Sequence, residues 1–139
     1  MLTPEQFNTR GAGKLPGHLG IVILAVSTSE IRAELRIAEP HMAPNGFLHA
    51  GTVVTLADTT AGYGCIVNLP AEASGFTTVE LKSNHVGTAL DGTIESVARP
   101  VHIGRTTQVW DATVTHRETG RTIALFRCTQ LVLYPRAGV

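Results

Sequence analysis

The stretch from His41 to Pro70, HMAPNGFLHAGTVVTLADTTAGYGCIVNLP, decides how the rest of the chain is read. Between Gly51 and Val67 it carries a single charge, Asp58, among small and aliphatic residues such as Val53, Val54, Leu56, Ala57 and Ala61. Pro44-Asn45-Gly46 is a turn signal on one side, and Asn68-Leu69-Pro70 closes the other. The run predicts one long apolar helix bearing one acid. Asp58, Gly51, Gly62 and Gly64 interrupt it too often for the roughly 18 unbroken apolar residues of a membrane span.

Working outward, 139 residues fit a single domain, 1–139, with room for a real core. The chain is 43% hydrophobic and only 16% charged, which predicts extra buried surface and hence a homo-oligomer. Eleven basic and eleven acidic residues cancel, and no Lys/Arg cluster offers a field for nucleic acid. Cys65 and Cys128 each sit in an apolar run and form no CxxC pair, as buried free thiols of a reducing compartment would. Residues 1–19 hold no apolar leader core. The expectation is a soluble, cytoplasmic protein that neither binds nucleic acid nor enters a membrane. His18, His41 and His116 lack ligand spacing with Cys or carboxylates, so no metal is expected.

Thr3-Pro4 reads as the start of a short helix, ended by Gly11, Gly13, Pro16 and Gly17. Ile21–Ser29 is a β-branched strand, and Ile31–Ile37 alternates apolar and charged residues, with a hairpin at Thr28-Ser29-Glu30. After the long helix come four more strands: Phe76–Val86, Thr93–Ile103, Thr106–His116 and Arg121–Tyr134. Pro100 marks a bulge or an edge in the second of these. Asp91-Gly92 and Glu118-Thr119-Gly120 mark turns, and short connections predict antiparallel pairing. The fold class is α+β. An apolar helix next to such strands needs covering on every face, so a curved antiparallel sheet wrapped around one long central helix is the economical arrangement.

That element order, together with Asn45-Gly46-Phe47-Leu48-His49-Ala50-Gly51 and Leu56-Ala57-Asp58, resembles the hotdog-fold acyl-CoA thioesterases of the phenylacetate-degradation and 4-hydroxybenzoyl-CoA type. The family opens its central helix with a G-x-x-H-G-G turn and places Asp or Glu nine residues after the His, the spacing of His49 and Asp58. Val79-Glu80-Leu81 and Arg99 to Arg105 are similar as well, so the likeness spans roughly residues 20–134. Three positions depart from the pattern. Ala50 replaces the first Gly of the turn. Ala43 stands where some members carry Asn or Gln, with Asn45 the nearest amide. His85-Val86-Gly87-Thr88 lacks an Arg that would meet a coenzyme A phosphate.

The resemblance implies a thioester hydrolase acting on an acyl-CoA, with an aromatic or medium-chain acyl group the best guess. Coenzyme A is part of the substrate and no separate cofactor is implied. Asp58 is the acid. In apolar surroundings its pKa would rise, which suits either a base activating water or a carboxylate nucleophile. The bland alternative is a polar residue satisfied at a subunit interface or facing water. The N–H groups of Ala50 and Gly51 fall at the helix start, where free donors and the positive dipole end could hold an oxyanion. His49 either orients that turn or touches substrate. Asn45 either holds the attacking water or supplies a left-handed turn residue. Thr78 matches a hydroxyl position of some members, against the plain reading of a strand-forming Thr. His102, Gly104 and Arg105 resemble the coenzyme-contact region, and Lys82 is a second phosphate candidate. Trp110 is core or interface.

Nine residues of helix rise about 13 Å, too far for one carbonyl to meet both His49's turn and Asp58. The family pairs the sheets of two subunits and shares each site between them, so a dimer of dimers is implied. Two other readings stand beside this one: a non-catalytic acyl-CoA-binding hotdog protein, and a hotdog hydratase or dehydratase.

Overall fold

Period-two alternation builds most of the molecule. In β2 (Ile31–Arg36), Ile31, Ala33 and Leu35 are buried while Arg32 and Arg36 are exposed. β5 (Thr107–His116) alternates buried and half-buried residues along its whole length. The computed structural model describes residues 1–137. Its other elements are α1 (Pro4–Gly11), α2 (Leu15–Leu19), β1 (Val22–Val26), α3 (Ala50–Val67), β3 (Gly75–His85), β4 (Thr93–Ile103) and β6 (Thr122–Leu133), with a single 3₁₀ turn at Glu39–His41. All six strands pair antiparallel in one sheet, ordered β1-β2-β4-β5-β6-β3, with α3 packed on it. That is the α+β arrangement of a sheet around one long helix expected above.

The order contains a step that short turns alone do not give. β3 follows α3 in sequence, yet it pairs with β6 at the far edge, because β2 and β5 already occupy both sides of β4. Residues 86–92 therefore carry the chain across from β3 to β4. Pro100 occupies the kind of place predicted for it. β2 pairs with β4 only as far as Ala98, and the β4–β5 register shifts between Pro100 and His102, so the absent N–H costs no ladder bond.

The N-terminal arm differs from the expectation of one short helix. Thr3 and Gln6 form a reciprocal capping box on α1, but Pro16 and Gly17 do not merely end it. They open α2, where a proline at the first turn loses nothing. Gly17 permits the close approach: a Cβ there would lie 2.5 Å from the Gly11 carbonyl oxygen. The arm is pinned to the edge strand by Asn8, whose amide accepts from the Ile23 N–H (2.8 Å) and donates to the Ile23 carbonyl (3.1 Å).

The sheet does not cover α3 on every side. Val53, Leu56, Ala57, Thr60, Ala61, Gly64 and Cys65 face it and are buried. Val54, Thr55, Asp58, Thr59, Tyr63, Ile66 and Val67 form a second stripe that is only half-buried. Trp110, fully buried on β5, lies against the first stripe at Gly64. Its indole N–H donates to Gln108 Oε1 (2.8 Å), and Gln108 Nε2 donates to the Asn68 carbonyl just beyond the helix end (3.1 Å). This buried chain ties the end of α3 to β5 while satisfying every polar atom in it, as low-dielectric surroundings require. The opposite face of the sheet carries the ion pairs of Glu30 with Arg32 and Arg99, Arg117 with Glu34 and Glu95, and Arg127 with Asp111. Among the described residues, no helix is long and apolar enough to cross a membrane.

The seat of the helix on Trp110 can be tested at Gly64, where an added Cβ would lie 2.5–2.9 Å from three indole carbons. Gly→Ala in a helix interior ordinarily gains about 1 kcal/mol. Here overpacking against a fixed ring, about 1–3 kcal/mol, should outweigh it. Gly64→Ala is expected to lower Tm by several degrees in a thermal melt, and an unchanged or raised Tm would show that the indole can shift.

Candidate active site

The site is built where α3 begins and along its half-buried stripe. His49 is the N-cap, and its Nδ1 accepts the Gly51 N–H (2.7 Å). The ring folds so closely over the turn that a Cβ on Gly51 would lie 2.9 Å from Nδ1, which explains the small residue. The same bond corrects one expectation. Gly51 does not present a free N–H, because His49 takes it up. Among the described residues the Ala50 N–H has no partner, and Ala50 is exposed with negative φ, so its methyl group is accommodated. With Nδ1 accepting, the neutral His49 ring carries its proton on Nε2.

His41 holds this turn from behind. Its carbonyl accepts from the His49 N–H (3.0 Å) and from Thr52 Oγ1 (2.9 Å). Its buried ring accepts the Ala38 N–H at Nδ1 (2.9 Å) and meets the Leu19 carbonyl at Nε2 (2.6 Å). His116 is likewise engaged, with Thr119 Oγ1 and the Asp91 carbonyl. Among the described residues, no group of three or more His, Cys, Asp or Glu is placed to hold a metal ion.

Asp58 lies on the outer stripe beside a cavity of about 170 Å³. Thr59, Gly62, Tyr63 and Ile66 of α3 line it with the acid; Phe76 and Thr78 come from β3 and Pro16 from α2. Phe76 and Thr78 pair with the buried Val132 and Gln130, so both point to the helix side of the sheet. Asp58 Oδ1 is buried without a hydrogen-bond donor. Desolvation therefore holds the Asp58 carboxyl above the usual carboxylate range. Burial also pushes the thiols of Cys65 and Cys128 up to about 12, so neither is a ready nucleophile.

The structure thus brings Asp58 and Thr78 to one cavity and leaves the His49–Gly51 turn outside it. Asn45 is exposed, and its Oδ1 accepts the Phe47 N–H (3.1 Å). The left-handed turn residue is Gly46 (φ +86°), not Asn45. Lys82 pairs in register with Arg127 on the face of the sheet away from α3. His102 pairs with Val109 in the β4–β5 hairpin, whose turn is closed by the Gly104 N–H on the Thr107 carbonyl (2.8 Å). Arg105 stacks its guanidinium 4.8 Å from the centre of the Tyr134 ring. None of these four lines the Asp58 cavity. Sequence reasoning missed Gly62, Tyr63 and Ile66, although the spacing of four and eight that sets Gly62 and Ile66 after Asp58 is the signature of one helix face. Pro16, Phe76 and His41 carry no comparable local signal.

A long central helix packed on one antiparallel sheet is the hotdog arrangement, and the relatives of the chain make it a thioester hydrolase. The chain belongs to the thioesterase superfamily, whose pattern matches residues 45–126. It is 32% identical over 111 residues to a 1,4-dihydroxy-2-naphthoyl-CoA hydrolase of Listeria monocytogenes, covering 80% of this chain and 89% of that protein. It is 30% identical over 135 residues to the Escherichia coli protein of the same name, covering 95% and 96%. The crystal structure of a mutant thioesterase from Pseudomonas aeruginosa superposes with a TM-score of 0.91 at 27% identity, over 97% of this chain and 96% of that one.

The raised Asp58 pKa has a consequence for stability. Between its unfolded and folded values the native chain binds more protons, so stability falls as pH rises through that window. Asp58→Asn should raise Tm at neutral pH, and the gap should close as pH drops below the unfolded value of about 4. Equal Tm for the two chains at pH 7 would mean that the carboxylate is fully solvated.

Proposed function

We propose that this chain hydrolyses an aromatic or medium-chain acyl-CoA to the free acid and coenzyme A. The observation that carries the reading is Asp58 Oδ1, buried without a donor beside a cavity with apolar walls. A structural acid would be paired, because an unpaired buried charge is costly. A carboxylate kept poorly solvated is a stronger base and nucleophile than one in water. The hydrolase names of the relatives support the acyl-CoA class.

In the proposed reaction the thioester carbonyl oxygen lies against the Ala50 N–H at the positive end of α3. Asp58 either takes a proton from the attacking water or attacks the carbonyl itself. A carbon–oxygen bond forms, the carbon–sulfur bond breaks, and the sulfur leaves as a thiolate needing little acid assistance, since a thiol pKa lies near 8.5. Thr78 lines the same cavity and would hydrogen-bond the acid, the water or the acyl group. His49 Nε2–H is a second donor near the turn. Asn45 belongs to the same turn and would reach the water only across a shared site. His102, Gly104 and Arg105 are proposed as rim contacts for the coenzyme phosphates, whereas Lys82, on the face of the sheet away from α3, is set aside for that role.

Ala50 and Asp58 are eight residues apart on one helix, a rise of about 12 Å. One carbonyl cannot touch both. The site is therefore proposed to be shared, with Ala50 from one protomer and Asp58 from its partner, in a homodimer that further pairs as a tetramer.

Ala50→Pro isolates the backbone donor. Position 50 is the first of α3, where proline is tolerated, and His49 already has the extended backbone (ψ 132°) that precedes proline. The variant is expected to fold with an unchanged Tm and to lose about 10²–10³-fold in kcat, followed by free-thiol release from acyl-CoAs. Full turnover in the folded variant would remove Ala50 from the mechanism. In the parent, kcat should rise with pH through a value above the ordinary carboxylate range. Asp58→Asn should lose that limb together with about 10²–10⁴-fold of rate.

A further inference from the structure

We propose that Pro16 and Tyr63 form a fixed end wall of the acyl slot and restrict it to groups about the size of one six-membered ring. This rests on the thioesterase reading above and names the acyl class within it. The cavity beside Asp58 holds about 170 Å³. An apolar cavity of about 150 Å³ takes up one benzene. A single ring, or a compact chain of similar volume, therefore fits against Gly62, Ile66 and Phe76. A fused two-ring acyl group with its carbonyl beside Asp58 would run against Pro16 and Tyr63 at the inner end.

The wall cannot recede. Pro16 and Tyr63 line both this cavity and a second void behind them of only about 10 Å³, at the lower limit for one water. They converge over Gly11, where a Cβ would lie 3.4 Å from Pro16 Cβ and 3.5 Å from the Tyr63 hydroxyl. Phe7 stacks on Tyr63 with ring centres 4.4 Å apart and 26° between planes, and Phe7 is fully buried. The arm that carries Pro16 is held at three further points already described: Asn8 on Ile23, Gly17 against the Gly11 carbonyl, and Leu19 on His41. A segment tied so often is a wall rather than a lid. It adds to the slot a residue that lies more than forty positions before Asp58 in the chain.

The test compares benzoyl-CoA with 2-naphthoyl-CoA, following thiol release by the parent, Tyr63→Ala and Pro16→Ala. The parent is expected to favour benzoyl by at least 10-fold in kcat/KM, the scale on which a pocket discriminates by size. Tyr63→Ala joins the slot to the void behind it and should shift the naphthoyl-to-benzoyl ratio upward by 10-fold or more. Pro16→Ala should shift it the same way by a smaller factor, and it carries the test if Tyr63→Ala fails to fold. The parental ratio in folded, active variants would overturn the wall, as would a parent that accepts both acyl groups equally. Absence of thiol release by the parent from either ester and from hexanoyl-CoA would instead overturn the hydrolase reading, and the slot with it.

Discussion

A carboxylate half-withdrawn from water with no donor to meet it is a standing cost, and the structure is arranged so that it can be borne. The inner stripe of α3 meets the Trp110 ring at Gly64, and the sheet beneath is packed with Ile31, Leu35, Ile94, Val114 and Ile123. That contact lets the outer stripe hold Asp58 without the helix leaving the sheet. The buried Asn68–Gln108–Trp110 chain fixes the far end of the helix. The surface ion pairs on the opposite face are exposed and contribute little each. Burial comes from one side of α3, and the half-buried acid sits on the other.

The opening turn of the helix obeys the same economy. The free backbone donors that begin any helix are usually capped or solvated. Here His49 removes one of them, His41 anchors the residue that does so, and the Ala50 N–H is left open. The side chains at this end work on the backbone.

The helix and its acid were legible because they are local: composition, a turn signal and one charge define them. Strand boundaries followed from alternation, and the Pro100 irregularity from the chemistry of proline. β3 was readable as a strand but its neighbour was not, since its pairing with β6 depends on which edges remain free. α2 was hidden because Pro16 and Gly17 signal a break in isolation and a close helix contact only in three dimensions. The N–H that His49 withdraws from Gly51 has no trace in the residues themselves, since both turn residues fall at the helix start; only the resemblance makes Ala50 the main donor. The cavity was half legible: Gly62 and Ile66 share a face with Asp58, whereas Pro16 and Phe76 arrive from elements whose placement is non-local.

Asn8 also does for β1 what a further strand would do. Its amide occupies both the N–H and the carbonyl that Ile23 would otherwise offer at the margin of the sheet. A row of unmet backbone groups invites another chain to add on, and a sheet open at both margins can be extended without limit. β1 is met in this way at Ile23, and β3 is the other margin of the sheet. The N-terminal arm that lines the Asp58 cavity through Pro16 thus also closes the margin of the sheet at Ile23.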